Sequence, residues 1–170
     1  MTGALEIATG TALVGLGATA FMDLWAVAQR VAFGIPSLNF ALVGRWVCHM
    51  AEGRFTHPSI AKTCPARGER LVGWISHYLT GVLFAALLVG TAGAGWLSAP
   101  TLLPAVAIGV GTVLLPFLVM QPAFGLGIAA SKTPRPAESR VRSLIAHASF
   151  GLGLYLSGLA WAMIPNSILP

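Results

Sequence analysis

Read for its apolar and polar positions, the chain divides into four long runs nearly free of charge, at residues 5–29, 71–95, 101–130 and 141–164. Each can cross a bilayer, which takes about 20 mainly apolar residues in a helix. Only the first run holds acids, Glu6 at its very start and Asp23 well inside it. The links after the second and third runs are short. The expectation is therefore one membrane domain over residues 1–170, an all-α four-helix bundle in up-down order around one core. The loop at residues 31–70 separates the first two runs. Within it Gly34-Ile35-Pro36-Ser37 reads as a turn with Ser37 as N-cap. Leu38, Ala41, Leu42, Arg45, Trp46, His49 and Met50 then recur at helical spacing, with Gly53 ending the pattern. Too short to span, this amphipathic segment belongs at the interface or docked under the bundle.

Composition narrows the class. Of 170 residues, 56% are hydrophobic and only 9% charged, and mean hydropathy is +0.80. A soluble domain is about a quarter charged. A soluble enzyme, a disordered segment and a nucleic-acid-binding module are all excluded. Twenty glycines and eleven prolines would signal disorder in water, but in lipid they signify close helix contacts and kinks. The same glycine-rich helix faces could join copies of the chain into a homo-oligomer. Two cysteines, Cys48 and Cys64, are too few for a disulfide framework. The first residues carry no Lys or Arg and no cleavage-type site, so they do not read as a removable signal peptide.

Charge sets the expected orientation. All ten basic residues lie between runs one and two or between run three and the first turn of run four, which Arg142 occupies. The positive-inside rule makes that side cytoplasmic and both termini periplasmic. Anionic lipid headgroups are the partners that such loops attract. Trp96 and Trp161 fall near the outer ends of their runs, where amphipathic rings favour the interface.

Inside the runs, one strongly polar group recurs at one depth. Asp23 lies seven residues before Arg30, His77 seven after Arg70 and His147 seven after Arg140. At 1.5 Å per residue, each is about 10 Å beneath the basic charges. Gln121, eleven before Lys132, falls slightly deeper. Runs two and four also superpose with a shift of 70 positions, Arg70, His77 and Gly81 on Arg140, His147 and Gly151, as in a duplicated helical hairpin. A carboxylate in lipid costs several kcal/mol, so Asp23 should face inward towards His77 or His147.

Several readings of this cluster stay open. It can be a structural polar network, or a proton-linked pocket for a small ligand. It can hold haem b between His77 and His147, with Arg70, Arg140 and Arg142 meeting the propionates, or a transition metal with Asp23 added. It can also serve a membrane enzyme acting on a lipidic substrate. In the first loop Cys48, His49, His57 and Cys64 have zinc-ligand chemistry, although their spacing matches no paired motif.

Whole stretches also carry a resemblance. They are Gly17-Ala-Thr19-x-x-Met22-Asp23-x-Trp25, Phe33-Gly34-x-Pro36-Ser37-x-Asn39, Val43-Gly44-Arg45-Trp46, Gly73-Trp74-x-x-His77-Tyr78, Met120-Gln121-Pro122-Ala123 and His147-x-x-Phe150-Gly151-x-Gly153. As a set they resemble a family of small multi-pass bacterial inner-membrane proteins of unknown function. The resemblance implies a bacterial inner-membrane location and supplies no activity.

Overall fold

A computed structural model describes residues 2–164. Its helices are α1 (Thr2–Phe33), α2 (Phe40–Met50), α3 (Glu69–Ala92), α4 (Leu102–Gly111), α5 (Gln121–Ala123) and α6 (Pro136–Ala162), with short 3₁₀ turns between them. Four helical stretches are long and apolar enough to cross a membrane: Gly3–Phe33, Glu69–Ala92, Leu102–Ala123 and Pro136–Ala162. The protein is an all-helical membrane bundle. α1 packs against both α3 and α6, and α6 also against α4; α3 and α4 touch lightly, and α3 and α6 hardly at all. The second and fourth spans therefore face each other across the diagonal.

Small residues set these crossings. A Cβ on Gly15 would come within 2.6 Å of the Val82 Cα, and one on Gly153 within 2.9 Å of the Ala18 Cα. Gly109 of α4 rests directly on the Gly151 backbone of α6. These glycines serve close contacts between helices of one chain. Val14, Ala18, Leu88, Ala105 and Leu154 fill a close-packed core at the uncharged end. Trp96 and Trp161 belong to that core and not to the interface: they are buried, against Gly158 and Gly10. The missing side chains leave slots for the indoles, and the Trp96 N–H donates to the Thr101 carbonyl at 3.2 Å.

The third span departs from the uninterrupted run at residues 101–130. α4 stops at Gly111, and a π-helical turn, Pro116–Met120, carries the span on to α5. Pro116 has no N–H to donate, which breaks the ladder there. Helical structure ends at Ala123. Gly125 and Gly127 then take positive φ values of 83° and 75°, and the Pro58 carbonyl lies where a Gly125 Cβ would stand.

The amphipathic helix of the first loop is present, but its start differs. Asn39 caps it, its side chain accepting from the Ala41 N–H at 3.1 Å, so Ser37 lies outside. The helix ends at Met50, and Gly53 with φ 78° belongs to the following turn. α2 lies against α3 with no space between backbones: a Cβ on Gly44 would strike the Glu69 carbonyl, and one on Gly73 the Phe40 carbonyl. Its other side packs Leu42, Val43 and Trp46 on Met120, Ala123 and Phe124. α2 thereby fills the gap that α3 and the third span leave at the basic end.

Arg45 locks this arrangement. Its Nε and Nη2 each donate to Glu69 at 2.8 Å, and its Nη1 donates to the Ile60 and Thr63 carbonyls at 3.1 and 2.9 Å. One guanidinium thus joins α2, α3 and the loop between them. The loop in turn satisfies the end of the third span: the His57 and Ile60 N–H groups donate to the Ala123 and Phe124 carbonyls.

Candidate functional site

At the basic end the bundle opens into a cavity of about 940 Å³. α1 lines it with Thr19, Met22, Asp23, Ala26 and Arg30, and α3 with Arg70, Trp74, His77, Thr80 and Phe84. Leu115, Pro116 and Met120 come from the third span, Ala146, His147 and Phe150 from α6, and Phe40 from α2. Every span reaches it. Helical periodicity explains the selection, since positions three, four and seven apart share a face.

Asp23 and His77 form its polar pair. The Asp23 Oδ1 lies 3.0 Å from the His77 Nε2, and both side chains are mostly buried. The Phe40 ring stacks on the His77 imidazole with centroids 4.1 Å apart, and Tyr78 meets it edge-on. The other Asp23 oxygen is buried and, among the described residues, has no hydrogen-bond partner.

The remaining two groups of the cluster go elsewhere. The His147 Nδ1 is 2.9 Å from the Thr112 Oγ1, and Thr112 also donates to the Gly109 carbonyl at 2.6 Å. His147 lines the cavity without joining Asp23. Gln121 lies outside it, reaching Ser143 at 3.4 Å, and its own carbonyl oxygen has no partner among the described residues. The depth reckoned for Gln121 assumed helix as far as Lys132, and the chain leaves the helix at Ala123.

The arginines separate in the same way. Arg70 borders the cavity, joined by Arg30. Arg140 donates to the Ala129 carbonyl and Arg142 pairs with Glu138, both away from the cavity. Among the described residues, no three His, Cys, Asp or Glu side chains converge to hold a metal ion. Nor do the residues suit haem b between His77 and His147. Asp23 takes the His77 Nε2, and Thr112 takes the His147 Nδ1.

In the first loop, His49 and His57 come together without the cysteines. The His49 Nδ1 and His57 Nε2 are 3.0 Å apart and both rings are buried, whereas Cys48 and Cys64 are free thiols, Cys64 exposed. Burial first, and His49 second, hold the His57 imidazole below its ordinary value of 6.5. Beneath 6.5 an undocked His57 takes up a proton that the docked ring refuses. Docking is thus at full strength above 6.5 and weakens as the pH falls. Exchange of the His57 and Ile60 amides should accelerate beyond the intrinsic trend between about pH 7.5 and about pH 5.5. Protection that stays constant across this window would contradict the assignment.

A family model described as a protein of unknown function, DUF2938, matches residues 12–161. The chain belongs to that family. The match covers all four spans except the first turns of α1 and the last residue of α6, and it includes every residue that lines the cavity. No curated protein matches the chain, and no solved structure does. For this DUF2938 member the cavity is thus the feature from which function must be argued.

Proposed function

We propose that this DUF2938 protein binds a small, largely apolar ligand within the bacterial inner membrane, and that the Asp23–His77 pair links binding to a proton. The cavity carries this reading. Its volume of about 940 Å³ lies towards the upper end of the usual ligand-pocket range of about 300–1,000 Å³. A purely structural network would need only enough space for its hydrogen bonds. The Asp23–His77 contact at 3.0 Å stands in the wall of that space, so a ligand seated there lies directly beside it.

Native mass spectrometry of protein extracted in mild detergent tests the proposal. A co-purified molecule should remain bound to the wild type and be lost from Ala146→Trp, which fills the cavity, at unchanged or higher melting temperature. Asp23→Asn keeps the shape and should retain the fold and the bound molecule while losing the pH dependence of its release. Wild type and Ala146→Trp carrying the same mass, or neither carrying any, would overturn the reading.

The basic end is taken as cytoplasmic, following the distribution of Lys and Arg, and its charges also face anionic headgroups. The exposed Cys64 should then react with an impermeant maleimide in opened vesicles but not from outside intact cells. Labelling from outside would reverse the orientation.

A further inference from the structure

The cavity is not uniform along its length, and its gradient points to a ligand class. Arg30 and Arg70 stand at the basic end of its lining, and among the described residues neither enters an ion pair, unlike Arg45, Arg54, Arg135 and Arg142. Asp23 and His77 follow one level further in, and Phe84 and Phe150 lie beyond them. From Arg70 to Phe84 is fourteen residues of one helix, about 20 Å, more than half of a hydrocarbon core of about 30 Å. Trp25 and Trp74, 42% and 41% exposed, also line the cavity, so it opens sideways as well as at its basic end.

Resting on the proposed ligand cavity, we infer that its ligand is an anionic amphiphile whose carboxylate or phosphate head meets Arg30 and Arg70 while its apolar chain runs past Asp23–His77 to Phe84 and Phe150. Two guanidiniums without carboxylate partners suit such a head by charge-assisted hydrogen bonds. A lipophilic cation fits less well, because both arginines repel it and Asp23 already holds His77. A free inorganic anion would use the mouth and leave the apolar length empty. A lipid-derived amphiphile uses both, and the side opening admits it from the bilayer.

Quenching of tryptophan fluorescence by 9,10-dibromostearate, with Trp25 and Trp74 in the wall, reads occupancy directly. The wild type in an uncharged detergent should bind the acid saturably, and the corresponding brominated alcohol more weakly. Arg30→Gln with Arg70→Gln should weaken the acid roughly tenfold or more, leave the alcohol unchanged, and melt like the wild type. Equal binding of acid and alcohol, or an unchanged affinity in the double variant, would overturn the anionic head while leaving the cavity reading intact. If neither probe quenches the wild type, the cavity reading itself fails. If inorganic phosphate alone displaces the acid at similar concentration, the ligand is a free anion and the amphiphile is overturned.

Discussion

Arg45→Ala is expected to lower stability by about 3–5 kcal/mol, the range for removing one partner of a buried ion pair. Both side chains are mostly buried, at 10% exposure for Arg45 and 16% for Glu69. The change leaves the Glu69 carboxylate without its fork and the Thr63 carbonyl without a donor, while the Ile60 carbonyl keeps only the Thr63 N–H. Arg45→Lys should recover only part of the loss, because one ammonium cannot reproduce the planar two-point contact. Thermal unfolding in detergent measures both. A loss under about 1 kcal/mol for the alanine variant, the level of an exposed pair, would show that the clamp is incidental. The effect should also reach the cavity, since α2 carries the Phe40 ring that stacks on His77.

The second large effect belongs to the crossing of α2 and α3. Gly73→Ala places a methyl against the Phe40 carbonyl, and no side chain there can turn aside to accommodate it. Overpacking usually costs about 1–3 kcal/mol, and contact between two backbones puts this case near the upper figure. α2 should lift, and trypsin should cut at the exposed Arg54 faster than in the wild type. Gly90→Ala is the control. It lies in the same helix with nothing within 4 Å, and alanine there should be neutral or slightly stabilising. Equal cutting rates in Gly73→Ala and Gly90→Ala would show that the crossing is not the anchor of α2.

The spans were legible because each needs only length and the absence of charge. The inward face of α1 was legible because Thr19, Asp23, Ala26 and Arg30 share one helical side, and all four line the cavity. Periodicity holds only while the helix continues. It placed His77 and His147, on unbroken α3 and α6, and failed for Gln121, where the third span leaves the helix at Ala123. The partner of Asp23 could be narrowed to two histidines, but the choice of His77 depends on which helices adjoin. The Arg45–Glu69 clamp left no signal of its own, because residues 24 positions apart share no period. Gly44 and Gly73 stood out as members of separate motifs, with nothing to show that they meet. A crossing of two helices, one of which does not span, has no repeat to announce it.

The clamp also has a consequence for the order of assembly during synthesis. Arg45 leaves the ribosome before Glu69, and until α3 is in place the guanidinium has no carboxylate to meet. The groove for α2 has a second wall at Met120, Ala123 and Phe124, which emerges later still. Residues 34–68 must therefore wait at the membrane surface while the second and third spans insert, and their docking narrows the basic end from below. The cavity is thus built late, around an opening that stays accessible from the basic side through most of biogenesis. A molecule already resident in the bilayer could be enclosed as the protein is completed.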